Sequence, residues 1–250
     1  MATQATGNAK NILVGASPLF LSVKDSTQSG YVENMEPNAS TGVAFVNGTS
    51  FTDTLNAVDI STALYRNVGY TNNGLQITYN PTYGSVTVDQ LLDTAKLFKE
   101  SMEVMIATEM AEGTLENTLA VFGQGGTNTH STAITATNTL TTNADYSQAS
   151  PTTAGLKTLG LAAGALGVAP VERQLIAVGQ GPTGSNAKIV SAERVYYARR
   201  VLSVQQSQFS LARNNPTTFP VTFRLLPSGE SAYAGQEYGK IIDRLLTVTA

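Results

Sequence analysis

The chain has 250 residues, of which 42% are hydrophobic and 13% charged, with a formal net charge of −3 and no Cys or Trp. That is enough chain for one large domain with a real core. It excludes a disulfide framework and any Cys-based zinc site, and no apolar run approaches the ~18 residues of a membrane span. Nor is there a global basic signature for tight nucleic-acid binding. The charge is uneven: residues 1–125 hold twelve Asp/Glu and five Lys/Arg, a balance of −7, whereas residues 126–250 hold six and ten, a balance of +4. Opposite halves either neutralise each other within one molecule or favour head-to-tail contact between copies. Thr, Asn, Ser and Gly take the place of the missing charge, and these suit strands and turns. The expectation is a β-dominated chain forming a single domain over 1–250.

The first element, Asn11–Val23, has the apolar content of a signal-peptide core. It is broken by Gly15, Ser17 and Pro18 and preceded by the single Lys10, so a first strand is the better reading and use in the cytoplasm is expected. Lys24–Ser50 reads as loop with room for an edge strand. Tyr65–Pro81 reads as a hairpin arm: Asn72, Asn73 and Gly74 supply turn chemistry, and Leu75, Ile77 and Tyr79 alternate with polar neighbours.

From Val86 to Glu112 two readings compete. A helix would align Leu91, Leu92, Ala95 and Phe98. Further on, Met102, Val104, Ile106, Thr108 and Met110 alternate with Ser101, Glu103, Met105, Ala107 and Glu109. Period two favours strands, at Val86–Leu92 and Glu100–Met110, joined around Asp93–Lys99. A short helix follows, capped by Thr114, with Glu116 at its positive end, Leu115, Leu119 and Phe122 on one face, and Gly123 as the stop.

Residues 124–155 form a Thr-rich insertion or exposed loop, with ten Thr between Thr127 and Thr153; such a stretch buries little apolar area. Gly155–Pro170 reads as a short helix or connector. Strands return at "QLIAVG", "VYYARRVLSVQQSQF", "FPVTFRLLP" and "KIIDRLL".

Residues that could carry chemistry are few. Gly179, Gly181 and Gly184 make a G-x-G-x-x-G pattern after the apolar run Leu175–Val178, the arrangement that brings backbone against a pyrophosphate. Pro182 removes an N–H from that loop, and Glu193 comes too early for the ribose contact expected about 20 residues on. A plain Gly/Pro turn is preferred, and a nucleotide-dependent enzyme built on Gly179–Gly184 is the lesser alternative. His130, the only histidine, stands alone among polar residues, short of the ligands or partners that a zinc site or a nucleophile would need. Arg194, Arg199 and Arg200, with Tyr196 and Tyr197 between them, form a small basic cluster; it suits an acidic neighbouring subunit better than nucleic acid. No catalytic residue, metal or cofactor is expected.

The order of several segments is similar to that of the tail tube proteins of tailed bacteriophages. "NVGYTNNGLQITYNP" (Asn67–Pro81), "VTVDQ" (Val86–Gln90) and "MAEGTLENTLAVFGQG" (Met110–Gly125) resemble that family's core. "QLIAVGQGPTG" (Gln174–Gly184), "FPVTFRLLP" (Phe219–Pro227) and "EYGKIIDR" (Glu237–Arg244) resemble its later strands, and "NILVGASPLFLS" its first. The Thr-rich insertion departs from the pattern. The resemblance implies a non-enzymatic virion subunit of mainly β (α+β) class: a β-sandwich or half-barrel with a flanking helix, whose inner strands join those of its neighbours into a ring-wide barrel. Hexameric rings would stack into a tube for DNA passage during genome ejection, assembled in the host cytoplasm. The partners implied are other copies, the tape measure, terminator and baseplate or tip proteins, and DNA in transit, with no membrane. Asp89, Asp93, Glu103 and Glu109 are the expected channel lining, and Arg194, Arg199 and Arg200 the expected subunit contacts. The inner tube of a bacterial contractile injection or secretion system shares the same physics and is the alternative.

Overall fold

The computed structural model describes residues 17–28, 31, 65–91, 93–125, 159, 161, 166–167, 169–182, 192–205, 207–211, 213–214 and 216–245. The expectations for most of Lys24–Ser50, for His130 and nearly all of the Thr-rich stretch, for most of Gly155–Pro170 and for Gly184 fall outside these residues.

The chain is mainly β. Among the described residues its strands are β1 (Leu19–Ser22), β2 (Tyr65–Asn67), β3 (Thr71–Thr87), β4 (Thr94–Met110), β5 (Arg173–Gln180), β6 (Ala192–Ser203), β7 (Phe219–Leu225) and β8 (Gly239–Leu245), with one α-helix, α1 (Leu115–Val121). They join in one antiparallel sheet of order β2-β1-β5-β6-β7-β4-β3, and β8 lies beside β6 off that path. Among the described residues the sheet does not close on itself.

Period-two sequences put alternate side chains on opposite faces, and β1 and β5 are apolar at both parities. Leu19, Leu21, Leu175 and Ala177 enter the larger core, which also holds Ile106, Met110, Val221 and Phe223. Phe20, Ile176 and Val178 enter a smaller core with Val195 and Tyr197. These central strands are therefore buried on both sides, whereas β4 alternates: Val104, Ile106, Thr108 and Met110 are buried, and Glu103, Met105, Ala107 and Glu109 are only partly so. The buried Thr108 hydroxyl is satisfied by donating to the Gly74 carbonyl at 2.8 Å.

Helix α1 starts as its sequence predicts: the Thr114 hydroxyl accepts from the Asn117 N–H, and Gly123 ends the turn at φ +62. Its inward face differs from the expected stripe. Glu116, Asn117, Leu119, Ala120 and Val121 are buried, while Phe122 faces out. Asn117 explains the rotation. Its amide donates to the carbonyls of Val68 (2.9 Å) and Glu112 (2.8 Å), and its oxygen accepts from Arg66 at 2.6 Å. Arg66 also donates to Thr114 Oγ1 at 2.9 Å, so one guanidinium ties β2 to the helix start. Burial pulls the Arg66 pKa down to about 10, against the opposing pull of Glu112; the group stays charged at neutral pH.

The strand expectation for Glu100–Met110 holds and the helix alternative fails. Two details change. The Asn72–Gly74 turn chemistry is spent inside β3: Asn73 (φ 60) and Gly74 (φ 68) lie in a bulge between the Asn72–Glu109 and Gln76–Ala107 pairs. The described residues of Val86–Leu92 form no separate strand; β3 ends at Thr87, and residues 88–91 begin to turn the chain, with the Leu91 N–H donating to the Val88 carbonyl.

Candidate functional site

The hairpin β3–β4 is longer than the sheet it belongs to. Strand β7 pairs only with Met105–Met110 of β4, so the hairpin beyond Val104 continues as a two-stranded arm. From Thr94 to Ser101 every residue is exposed. Apolar side chains are nonetheless abundant there: Tyr79 (65% exposed), Tyr83 (59%), Leu97 (63%) and Phe98 (48%), with Val86, Val88 and Leu91 near the turn. The arm is ordered by cross-strand contacts. Phe98 is paired with Gly84, where a Cβ would come within 2.5 Å of the ring, so the glycine lets the aromatic lie across the strand. The Lys99 ammonium sits 5.8 Å from the centre of the Tyr79 ring, near the outer limit of a cation–π contact. Exposed apolar surface on this scale usually marks an interaction site.

Among the described residues β3 pairs with β4 alone, which leaves a 17-residue edge open. Edges of that length are templates for pairing with another chain unless they are blunted. Pro81 is the only proline on this one, and no lysine or arginine lies between Thr71 and Thr87.

The outward face of β4 and β7 is mixed, with Glu103, Glu109, Thr222 and Arg224 interspersed with Met105, Ala107 and Pro220. Glu103 faces Arg224 at 3.6 Å, and Glu109 accepts from the Asn72 amide at 3.4 Å. Glu109 also lines a shallow groove of about 250 Å³ with Gln76, Gln205 and Thr222. The structure thus brings Glu103 and Glu109 to one face, six residues and roughly 20 Å apart. Asp89 and Asp93 lie elsewhere, in the turn at the end of the arm, where Asp93 Oδ1 accepts from the Thr94 N–H. The signal that sequence reading missed is Arg224: its place on "FPVTFRLLP" opposite Met105 puts a cation among the expected acids.

Arg194, Arg199 and Arg200 do not form one patch, and the acidic partners expected on a neighbour are found within the chain. Arg194 makes a two-pronged contact with Asp243 at 2.6 and 2.7 Å, which holds the Asp243 carboxyl below the usual carboxylate range. Arg200 does the same with Glu172 at 2.7 and 2.8 Å. Arg199 is fully buried. It packs 3.8 Å from the centre of the Tyr233 ring and donates to the Gln236 carbonyl at 3.1 Å, which anchors the β7–β8 connection. Here β6 changes partner, from β8 along Ala192–Ala198 to β7 along Val201–Ser203.

Two of the three glycines in the G-x-G-x-x-G pattern are described. Gly181 donates its N–H to the Ala192 carbonyl at 2.8 Å, and a Cβ there would meet the Glu193 backbone at 2.8–2.9 Å. Close strand approach accounts for this glycine. Gly179 has open space. Gly181→Ala should therefore destabilise the fold by about 1–3 kcal/mol through overpacking, whereas Gly179→Ala stays within about 0.5 kcal/mol; paired thermal melts check this. A dinucleotide titration followed by thermal shift is informative only on Gly179→Ala, because Gly181→Ala perturbs the fold itself.

No protein-family model and no curated protein matches this chain.

Proposed function

We propose that this chain is a structural subunit of the tail-tube type, whose working form is a hollow homopolymer of stacked rings. The observation that carries the reading is the β3–β4 arm: ordered, apolar on its exposed surface, and bounded by a long unpaired edge. A lone molecule leaves that surface in water. Identical neighbours arranged with cyclic symmetry would cover it and use up the edge, turning an open sheet into one sector of a larger barrel. Hexameric rings with a sandwich or half-barrel subunit are the form that the tail-tube resemblance implies.

The outward face of β3, β4 and β7 then becomes the channel wall. Gln76, Asn80, Glu103, Glu109 and Thr222 give it acidic and neutral groups, and Arg224 is countered by Glu103. Such a wall offers passing DNA no cluster of cations, so phosphates have no counterion release to gain by stopping. Asp89 and Asp93, on the arm's turn, are better suited to contacts between copies. In this reading the chain resides in the virion tail, with the tail's end and length-determining proteins as further partners.

Negative-stain microscopy of the purified chain tests the proposal. Rings or tubes with an open channel, appearing as concentration rises, are expected. A species that sediments as a folded monomer at its solubility limit would remove the basis for it.

A further inference from the structure

Asn73 is the only asparagine among the described residues that precedes a glycine. Asparagine is thermolabile, and most so in this setting. A following glycine puts no side chain in the way when its amide nitrogen turns on the neighbouring carboxamide. Three features leave the pair open to that reaction. Asn73 and Gly74 are both exposed, and a Cβ at Gly74 would meet nothing within 4 Å. The Asn73 carboxamide makes no hydrogen bond with a described residue. Both residues have left-handed backbone and lie between the Asn72–Glu109 and Gln76–Ala107 pairs, outside the ladder. The bulge can therefore open without losing a pair on either side.

We infer that Asn73 is a site of spontaneous deamidation in the folded protein. The Gly74 nitrogen gives its proton to hydroxide and bonds to Asn73 Cγ, and the carboxamide nitrogen leaves as ammonia. Water then opens the five-membered imide. Opening at Cγ leaves aspartate; opening at the main-chain carbonyl leaves isoaspartate, with the chain running through the side-chain carbons and one atom longer. Ring closure requires the peptide between Asn73 and Gly74 to swing, so the bulge sets the rate. The Thr108 hydroxyl, donating to the Gly74 carbonyl at 2.8 Å, tethers it. Because residues 73–75 are already out of register, the fold accommodates the extra chain atom. The product adds a carboxylate to the groove that Asn73 and Glu109 both line. Under the tube reading each converted copy makes the channel wall more acidic, but the chemistry does not depend on that reading.

The full-length chain is held folded at mildly alkaline pH for days, beside a sample unfolded in urea. Isoaspartate is counted by methyl transfer from S-adenosylmethionine with an isoaspartyl methyltransferase and located by peptide mapping. Mapping separates Asn73 from Asn47–Gly48, the other such pair in the sequence. In the folded chain, conversion at Asn73 should exceed that at Asn72 and Asn80 several-fold. Those two are also exposed, but Asn72 precedes a residue with a side chain, and Asn80 precedes Pro81, which has no N–H to react. Conversion at Asn73 should run slower than in urea, rise with pH and yield isoaspartate in excess of aspartate. Asn73→Gly, which takes left-handed backbone without strain, should remove it, and Thr108→Val should speed it several-fold. Asn73 reacting no faster than Asn72 in the folded chain would overturn the site, and aspartate without isoaspartate would overturn the cyclic route. A folded rate equal to that in urea, or one unmoved by Thr108→Val, would overturn the tether.

Discussion

Asp25→Ala should destabilise the fold by about 3–5 kcal/mol, the usual result of leaving one member of a buried ion pair alone, and lower the melting temperature by on the order of 10 °C for a domain of this size. Asp25 and Arg173 meet at 3.1 Å with side chains 0% and 5% exposed. Arg173 opens β5 and also donates to the carbonyls of Ser22 and Val23 at 3.3 Å, so it clips the end of β1 onto its neighbour. Asp25 Oδ1 accepts from the Thr27 N–H at 2.9 Å, which fixes the turn that follows β1. Burial lowers the Arg173 pKa to about 10 from 12.5, with Asp25 pulling the other way. For a base held below its unfolded value, the unfolded chain binds more protons above about pH 10, so the contribution of this group to stability rises with pH only there. At neutral pH the guanidinium is charged, and the penalty for removing its partner is fully present. Arg173→Met should cost a comparable amount, and the double variant less than the sum, since the second substitution removes the group that the first stranded. A variant of Asp25 melting with the parent chain would show that the pair does not hold β1 to β5.

That pair was invisible in the sequence, and the reason generalises. Asp25 and Arg173 lie 148 residues apart, and no local pattern distinguishes a buried charge at a strand start from a solvated one. The same holds for Arg66 and Asn117, whose bonds rotate α1 away from its apolar stripe. Local signals read well where one mechanism produces them. The Thr114 cap and the Gly123 stop are specific to a helix end, and period two along Ser101–Met110 has only one structural meaning. Asn72–Asn73–Gly74 has two, since left-handed backbone serves a turn and a bulge alike, and here it serves the bulge. The link between β3 and β4 in the sequence, Val88–Asp93, contains neither Gly nor Pro, so nothing punctuated it. The arm's character was half legible: alternation announced a face to be buried, but periodicity is silent on whether the burying partner is the same chain or another.

The last point determines the second large effect. Tyr79→Glu combined with Tyr83→Glu should abolish assembly and leave the subunit folded. Both rings are more than half exposed, so the isolated chain loses little core packing. Tyr83 is paired across the hairpin with Lys99, and Lys99 also lies over Tyr79, so the two new carboxylates share one cation where they lose ring contacts. Such cross-strand pairs contribute roughly 0.2–1 kcal/mol, and the melting temperature should hardly move. In the polymer the balance reverses. Buried tyrosines are typical interface anchors, each costing about 2 kcal/mol or more when lost, and a carboxylate against an apolar neighbour adds desolvation. Two such losses raise the concentration needed for assembly by roughly a hundredfold or more. Sedimentation of parent and variant across a concentration series reads this directly. A variant that assembles at the parent's concentration, with the same melt, would mean that the open edge of β3 is not where copies meet, and the polymer would need a different surface from the one its exposed tyrosines mark.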